Sequence, residues 1–405
     1  MKNFAAKFIL SAAFSLSFWC GSAQTVLFHT GDYTGYPYRI PAITTARNGD
    51  LIALSDIRPC GNDIGYGRVD ILMRTSKDNG QTWSYPTTVL AGTGEGETAG
   101  YGDACLVADR ESDELLLVCV SGDVPYWKSK IGHVQRIVCT HAKLNPVTHR
   151  WEWDKNPRDL TQQVYEGLLK NRVNGLFMGS GRICQSRFVK VGKYYRVYGA
   201  LCTHQGNFVI YSDDFGRNWQ LLGTSDASCA PKGDEPKCEE LPDGSVLLSS
   251  RKDHGRWFNI FTYTNPRTAT GTWAQPVASD EVTGGIKNQS RGTNGDILIV
   301  NSRHTIQGNK VPLILQSIPA GPNRADVTIY WKTLPDAASY ASPETFASNW
   351  EGQYQISHTG SAYSAMTLQA DGRIGFFYEE EPQYYQMVYL PLYLKTITGG
   401  KYDID

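Results

Sequence analysis

The feature that most constrains the fold is a repeated eight-residue turn. Residues 76–83 ("SKDNGQTW") and 212–219 ("SDDFGRNW") share the pattern Ser-x-Asp-x-Gly-x-Thr/Asn-Trp. Serine and aspartate can bond to turn backbone, glycine permits a positive φ, and tryptophan can pack the turn onto a neighbouring sheet. Weaker copies end at Trp151 and Trp273, so tryptophans at positions 83, 151, 219 and 273 are 68, 68 and 54 residues apart. This spacing is typical of repeated sheet units.

Short β-rich runs fill the chain between these turns. They include "DELLLVCV" at 113–120, "GSVLLSS" at 244–250 and "GDILIV" at 295–300, and turn sequences such as "PDG" and "NGD" separate them. Helical periodicity is almost absent, apart from a weak signal around residues 160–170. With 12% aromatic residues and 40 glycines, the chain is predicted to be all-β. Residues 24–405 match the length of one six-bladed β-propeller domain of four-stranded antiparallel sheets.

Residues 1–23 have the composition of a secretory signal peptide. Two lysines precede an apolar run over residues 8–19, and "GSA" comes just before Gln24. Cys20 raises the alternative of a lipid anchor, but "SFW" before it lacks the small residue that such a site prefers. No later segment has the length of a membrane span. We therefore expect an exported protein, either periplasmic or secreted, without a membrane span.

Charge and cysteine content narrow the functional classes further. A formal net charge of −1 leaves no basic surface of the kind that nucleic-acid binding requires. Eight cysteines follow Cys20, an even number that suits an oxidising compartment. Cys229 and Cys238 flank a loop and are predicted to form a disulfide. The pairs Cys105 with Cys119 and Cys184 with Cys202 are left open between disulfides and buried free thiols.

Several further segments carry a resemblance to a known family. They are "YRIPAI" at 38–43, "SDIRPCGNDIG" at 55–65, "DEPKCEELPDGSVLLSSR" at 234–251, "VNSRH" at 300–304 and "SAYSAMTLQADGRIGFFYE" at 361–379. Together with the repeated turns, they resemble the bacterial exo-sialidase family with Asp-box (BNR) repeats, over essentially all of residues 24–405. The resemblance implies a six-bladed propeller with its active site at the centre of one face. It also implies retaining hydrolysis of terminal sialic acids through a tyrosyl-enzyme intermediate.

The expected substrate carries a carboxylate, and arginine's planar fork suits a carboxylate. The resemblance assigns its binding to Arg39, Arg251 and Arg303. Arg291 competes with Arg303 for the third position, because the segment after Arg303 is longer than the family pattern. For Arg39 the plain alternative is a structural salt bridge, since a buried arginine needs an anion in any case.

The same carboxylate explains the nucleophile that the resemblance implies. An anionic nucleophile would be repelled by the substrate, and sialidases are the glycosidases that use a tyrosine instead. Tyrosine has a reference pKa near 10 and needs a base to take its proton. The resemblance assigns Tyr363 as nucleophile and Glu235 as base. Glu239 and Glu240 lack the right offset from the "ELPDG" turn, and Asp234 stands where the family usually has asparagine.

The remaining site residues are also implied by the resemblance. Asp63 is expected to be the general acid and base, Arg58 a further substrate-binding arginine, and Asp103 the partner of the N-acetyl N–H. Glu379 is expected to orient Arg39, ahead of its neighbours Glu380 and Glu381, and Trp127 to wall the acyl pocket. No metal or cofactor is needed for this chemistry, and the histidines show no zinc-ligand spacing.

Two alternatives stay open at this level. Transfer of the sialic acid to another sugar, or to its own hydroxyl, in place of water depends on acceptor-side residues and on water exclusion, and the sequence reports neither. A non-catalytic sialic-acid-binding propeller would keep the turns, but binding alone would not require Tyr363, Glu235 and Asp63 together. The expected partners are sialylated glycans, glycoproteins or glycolipids.

Overall fold

Six small sheets stand around a central axis and form a six-bladed β-propeller, as predicted. The structure, a computed structural model, describes residues 24–32, 34–289, 291–381 and 385–405. The predicted signal peptide and Cys20 lie outside these residues. No helix in the described ranges has the length and apolar character needed to cross a membrane.

Strands are numbered in chain order. The first described strand is β1 (Thr25–Phe28), and blade 1 follows with β2 (Tyr38–Thr45), β3 (Leu51–Ile57), β4 (Asp70–Ser76) and β5 (Thr87–Leu90). Blade 2 contains β6 (Tyr101–Ala108), β7 (Glu114–Ser121), β8 (Arg136–Leu144), β9 (Trp151–Trp153) and β10 (Arg158–Asp159). Blade 3 begins with β11 (Leu176–Met178). The short β12 (Gly181–Arg182) then pairs in parallel with β6, and β13 (Cys184–Val191), β14 (Tyr194–Thr203), β15 (Gly206–Ser212) and β16 (Gln220–Leu221) complete the blade.

Blade 4 contains β17 (Pro236–Glu240), β18 (Val246–Lys252), β19 (Gly255–Asn265), β20 (Thr270–Trp273) and β21 (Val277–Ala278). Blade 5 contains β22 (Ile297–His304), β23 (Lys310–Pro319), β24 (Val327–Thr333) and β25 (Gly352–Gln355). Blade 6 contains β26 (Ser361–Leu368), β27 (Ile374–Glu380) and β28 (Gln386–Leu392), and the last strand, β29 (Tyr402–Ile404), pairs with β22.

In the residues that the structure describes, helical structure is confined to short connections. These are two α-helices, α1 (Pro343–Ala347) and α2 (Leu394–Ile397), and single 3₁₀ turns at Gly96–Thr98, Tyr126–Lys128, Ser279–Glu281 and Ala337–Tyr340. The weak helical signal around 160–170 corresponds to a π-helical turn at Gln163–Leu168. Ser342 caps α1 by accepting a hydrogen bond from the Thr345 N–H, and proline occupies the first position of that helix.

The ring is closed by strands from opposite ends of the sequence. β1 pairs with β28, placing Val26 opposite Val388, so β1 becomes the outermost strand of blade 6. Within the described residues, six large hydrophobic clusters lie one between each pair of neighbouring blades, and two smaller clusters contain Ile64 and Tyr363. Each blade is therefore stabilised mainly by the blades on either side of it.

The repeated turns join the third and fourth strands of blades 1 and 3. In blade 1, Asp78 Oδ1 accepts from Ser76 Oγ at 2.8 Å and from the Thr82 N–H at 2.9 Å, while the Gly80 N–H donates to Ser76 Oγ at 2.8 Å. The blade 3 turn repeats this network with Ser212, Asp214, Asn218 and Gly216. The predicted roles of serine, aspartate and glycine are confirmed.

The tryptophans of the repeat lie where the blades meet. The Trp83 ring contacts Tyr389 of blade 6 with centroids 5.0 Å apart, and Trp219 is buried between blades 2 and 3. Trp151 and Trp273 lie on β9 and β20, the outer strands of blades 2 and 4. The weaker copies thus occupy the same place in their blades as the full ones.

The predicted Cys229–Cys238 disulfide is wrong. All eight cysteines in the described part of the chain have free thiols, and seven of them are buried. Cys229 and Cys238 both lie in the core between blades 3 and 4. Buried free thiols behave there as small apolar side chains.

The turn in blade 1 generates a stability prediction. Gly80 has a φ of +83°, and a Cβ at this position would overlap the Tyr389 hydroxyl oxygen. Gly94 has a φ of +94° but nothing within 4 Å of an added Cβ. We expect Gly80→Ala to lower the free energy of unfolding by about 1–3 kcal/mol more than Gly94→Ala, because only the first variant overpacks the blade interface. Urea denaturation of both variants measures the difference, and equal losses would contradict it.

Candidate active site

The charged residues of the site meet at one end of the propeller axis. The first strand of each blade begins at this end of the axis, and the second strand ends there. We call this end of the propeller the front face. A cavity of about 320 Å³ opens on it, lined among others by Arg39, Arg58, Asp63, Asp103, Trp127, Glu235, Arg251, Arg324 and Tyr363. Larger grooves of about 790 and 740 Å³ run along the outer strands, but neither brings together a comparable set of acids and arginines.

Three arginines form one wall of the cavity, and we call Arg39, Arg251 and Arg324 the arginine cluster. Arg39 is on β2, Arg251 on β18, and Arg324 in the loop between β23 and β24. The Arg39 guanidinium lies 5.5 Å from the centroid of the Tyr363 ring, and that of Arg324 lies 5.9 Å from it. Such a cluster can hold a carboxylate against the tyrosine.

The placement predicted for Arg303 in this cluster is wrong. Arg303 lies near the end of β22, at the opposite end of the axis, and pairs there with Asp405 at 2.5 Å. Its competitor Arg291 is exposed and does not line the cavity. The chain returns to the front face only in the β23–β24 loop, and that loop supplies Arg324 instead.

Glu379 is the buried anion that supports the cluster. Its carboxylate is fully buried and accepts from Arg39 Nε at 2.8 Å, from the Ile40 N–H at 2.8 Å and from the Tyr363 N–H at 3.3 Å. Ile40 has a φ of +63°, a conformation that costs a β-branched residue about 1–3 kcal/mol and persists only where surroundings impose it. The structure places Glu379 against Arg39, as the sequence predicted. Glu381 does not line the cavity.

Tyr363 and Glu235 form a direct hydrogen bond inside the cavity. The Tyr363 hydroxyl donates to Glu235 Oε1 at 2.7 Å, and Glu235 Oε2 accepts from Arg251 Nη1 at 2.9 Å. Burial, and then the charge of Glu235, raise the pKa of the Tyr363 phenol well above its usual value, although the arginine cluster opposes the shift. The phenol therefore needs a base to lose its proton, and Glu235 is in position to take it.

A second charged group surrounds Arg58. Its guanidinium contacts Asp56 at 3.2 Å, Asp63 more closely, and Asp103 at 4.0 Å. Burial raises the pKa of Asp56 to about 6, and burial together with the Asp56 charge raises that of Asp103 well above its usual value. The side chain of Asp63 is 71% exposed and lines the cavity. These acids face the arginine cluster and give the cavity two chemically different walls.

Local breaks in strand pairing aim several of these side chains. The register shifts in β2 between Arg39 and Ala42, in β6 between Gly102 and Cys105, and in β26 between Ser361 and Ser364. These bulges contain or adjoin Arg39, Asp103 and Tyr363. A bulge turns a side chain out of the regular alternation of its strand, so three inner strands use the same device at the front face.

The remaining wall is aromatic. Tyr126 contacts Phe177 edge to face with centroids 5.0 Å apart, and Trp127 stacks on His204 at 5.9 Å. Trp127 lines the cavity, but it is 78% exposed and stands at the rim; its contact with an acyl group stays a prediction. Sequence reasoning missed Arg324, Asp56 and the Tyr126–Phe177 pair. The segment "GPNRADV" around Arg324 contains no recognisable motif.

Comparisons with known proteins agree with this architecture. The family described as BNR repeat-like domain matches residues 61–376. A sialidase from Micromonospora viridifaciens is 31% identical over 232 residues, covering 54% of this chain and 33% of the relative. A sialidase from Paraclostridium sordellii is 23% identical over 376 residues, covering 88% of this chain and 85% of the relative. The predicted resemblance to bacterial sialidases is confirmed.

The fold is shared with solved structures. A leech intramolecular trans-sialidase in complex with 2,7-anhydro-Neu5Ac has a TM-score of 0.72 at 16% identity, covering 94% of this chain and 71% of that one. At this identity the likeness shows the fold alone. The chain spans 33% and 42% of the lengths of two curated relatives, the Micromonospora viridifaciens and Bacteroides fragilis sialidases.

The raised pKa of Asp56 generates a pH prediction. Its value of about 6 in the folded protein exceeds the usual unfolded value near 3.9, so the folded state binds this proton more tightly. The resulting stabilisation is present below pH ~4 and is lost as pH rises through ~6. We expect the free energy of unfolding of Asp56→Asn, measured relative to wild type, to be about 1–3 kcal/mol higher at pH 7.5 than at pH 4.

Urea denaturation at both pH values measures this gain. Asp113→Asn is the matched control, because Asp113 forms an exposed ion pair with Arg47 and should show little pH-dependent difference. If the stability difference between Asp56→Asn and wild type is the same at both pH values, the burial effect on Asp56 is absent.

Proposed function

Since this chain belongs to the BNR repeat-like domain family, we propose that it is an exo-α-sialidase. It hydrolyses terminal sialic acids from glycoproteins, glycolipids or free glycans, with retention of configuration. We also propose that residues 1–23 direct its export, so that it meets these substrates outside the cytoplasm. The catalytic residues are Tyr363, Glu235 and Asp63.

The observation that carries the proposal is the hydrogen bond between Tyr363 and Glu235 beside three arginines. A buried tyrosine in a sheet core normally packs its ring and bonds its hydroxyl to a neutral partner. Here the hydroxyl donates to a carboxylate at 2.7 Å inside a cavity. This is the arrangement of a nucleophile and its base.

The arginine cluster supports a substrate with a carboxylate at its reacting carbon. Arg39, Arg251 and Arg324 converge on the side of the cavity that holds Tyr363. A carboxylate bound between them places the adjoining anomeric carbon next to the phenol oxygen. The neutral phenol approaches this anion without the repulsion that an aspartate or glutamate would meet.

The reaction proceeds in two displacements. Glu235 takes the phenol proton as Tyr363 Oη bonds to the anomeric carbon, while Asp63 protonates the departing glycan oxygen and the glycosidic bond breaks. Asp63 then takes a proton from water, whose oxygen attacks the same carbon. The tyrosyl bond breaks and Glu235 returns the proton to Tyr363. Two inversions give net retention.

Intramolecular transfer is the second candidate. A relative from Macrobdella decora named anhydrosialidase, 25% identical over 173 residues, favours it, and the exposed Trp127 at the cavity rim could cover the bound sugar from water. In that case a hydroxyl of the sialic acid itself attacks in the second step. The product would be an anhydro sugar in place of free sialic acid.

The proposal is tested by incubating the protein with a fluorogenic α-sialoside and identifying the released sugar by mass spectrometry. We expect free sialic acid from the wild type and a loss of kcat by at least about 10³-fold in Tyr363→Phe. Tyr198→Phe removes the hydroxyl of another buried tyrosine, in blade 3, and should keep near wild-type kcat. An inactive wild-type protein that still binds sialic acid would favour the binding propeller.

The corrected arginine assignment gives a second prediction. We expect Arg324→Ala to lower kcat/KM by about 10²-fold or more, because one charged contact to the carboxylate is lost. Arg303→Ala removes an arginine of the same blade that is bound to Asp405 at the other end of the axis, and it should leave kcat/KM within about twofold. Steady-state kinetics with the same sialoside distinguishes them. The reverse order of effects would restore Arg303 as the third arginine.

A further inference from the structure

Two positive side chains are buried beneath the cavity without an ion pair. Lys237 and Arg256 are each 1% exposed. Lys237 Nζ donates to the Gly179 carbonyl at 3.0 Å and to Asn294 Oδ1 at 3.1 Å. Arg256 donates to Ser249 Oγ at 3.1 Å and to the backbone carbonyl oxygens of Thr293 and Ser249 at 2.9 and 3.1 Å. In the described part of the chain, neither has a carboxylate oxygen within 4.0 Å.

Other buried arginines of this protein are paired with acids. Arg58 contacts Asp56 at 3.2 Å, Arg182 contacts Glu239 at 2.8 Å, and Arg196 contacts Asp213 at 2.7 Å. A buried charge without a partner is unfavourable unless a more distant charge compensates it. Lys237 and Arg256 therefore need an explanation that the packing of blade 4 does not give.

Both cations lie close to Glu235 in the fold. Glu235 immediately precedes β17, Lys237 is the second residue of that strand, and Glu235 attracts the charges of both Lys237 and Arg256. Arg256 on β19 is the register partner of Arg251 on β18, and Arg251 bonds Glu235. Cross-strand partners share a face. Glu235 thus contacts one cation, Arg251, and attracts two more buried cations, Lys237 and Arg256.

The electrostatic surroundings of Glu235 and these cations are defined by a small set of groups. Those that face Glu235 from the neighbouring elements are Tyr363 on β26, Arg251 on β18, Asp103 on β6, Cys202 on β14, Arg256 on β19 and Asp234. Lys237 faces Asp296, Cys105, Glu235 and Arg256. Burial lowers the pKa of Lys237, and the attraction of Asp296, followed by Cys105 and Glu235, opposes the shift. Burial also lowers the pKa of Arg256 to about 9, and there the attraction of Glu235 is the first to oppose the shift.

We propose that Lys237 and Arg256 are positioning residues that act through Glu235: their buried charges keep its carboxylate ionised and stabilise the negative charge that forms on the phenol oxygen of Tyr363. This inference rests on the proposed function, because it assigns Glu235 as the base. The cations touch neither the cavity nor the substrate, so they raise the reactivity of the pair without occupying the space that the sugar needs.

Lys237 and Arg256 also keep positive charge near Glu235 and Tyr363 when substrate is bound. The arginine cluster is neutralised in part when a carboxylate binds to it, which weakens its support for a second negative charge. Lys237 and Arg256 are buried, so a bound substrate does not contact them and does not neutralise their charges. Their field on Glu235 and Tyr363 therefore persists in the complex, where the proton transfer takes place.

The test is the pH dependence of kcat/KM for an aryl α-sialoside, whose good leaving group makes the rate insensitive to the general acid. Lys237→Met keeps the length of the side chain and removes its charge. Without that charge, protonation of Glu235 becomes easier, so we expect the acidic limb of the profile to move to higher pH by about 0.5–1.5 units. We expect Lys237→Arg to retain the wild-type limb.

Lys332→Met is the matched control. Lys332 is also a buried lysine, bonded to the carbonyl oxygens of Thr345, Phe346 and Ser348 at 2.9, 3.1 and 2.8 Å. The acid that attracts its charge is Glu351 and not Glu235. Its loss should lower stability and leave the acidic limb in place, which separates an electrostatic role from a structural one.

Arg256→Gln provides the same test from β19 if Lys237→Met does not fold. It should move the limb in the same direction. An active wild type whose limb stays within about 0.2 pH units in every folded, charge-removing variant would overturn the inference and leave the sialidase proposal standing. A wild type inactive on all α-sialosides would overturn the sialidase proposal and the inference with it.

Discussion

The rest of the site depends on the ion pair between Arg39 and Glu379. Glu379 is fully buried, and its two oxygens hold the Arg39 guanidinium and the backbone N–H groups of Ile40 and Tyr363. One carboxylate thus fixes an arginine of the cluster, the strained backbone beside it and the strand that carries the phenol. Removal of its charge would leave Arg39 without an anion and Ile40 without the bond that holds its positive φ, so the arginine cluster and the position of Tyr363 would be disturbed together.

Much of this arrangement could be predicted from the sequence, because short motifs fix both residue type and strand position. Arg39, Glu235 and Tyr363 each adjoin the start of an inner strand, and all three reach the same cavity. The prediction for Arg303 was wrong because of the direction of its strand. Inner strands begin at the front face and run away from it, and Arg303 lies near the far end of one of them. Its replacement, Arg324, lies in a loop between the second and third strands of blade 5, where no motif marks it.

The cysteines show a different limit. Their even number and the expected export favoured disulfides, yet every thiol in the described ranges is free. Pairing depends on the direction of Cβ vectors across two blades, which spacing along the chain does not determine. The buried cations Lys237 and Arg256 were hidden for a related reason. Both residues occur in ordinary strand sequences, and only the register of β17, β18 and β19 brings them close to Glu235.

The closure of the ring has a consequence for the timing of folding. The Arg39–Glu379 pair joins blade 1 to blade 6. β1 precedes blade 1 in the sequence but forms the outer strand of blade 6, so it connects the same two blades. During synthesis on the ribosome, Arg39 emerges 340 residues ahead of Glu379, whereas Tyr363 emerges only 16 residues ahead of it. The nascent chain therefore cannot form this ion pair, or the cavity wall that it supports, before blade 6 has been synthesised and the ring can close.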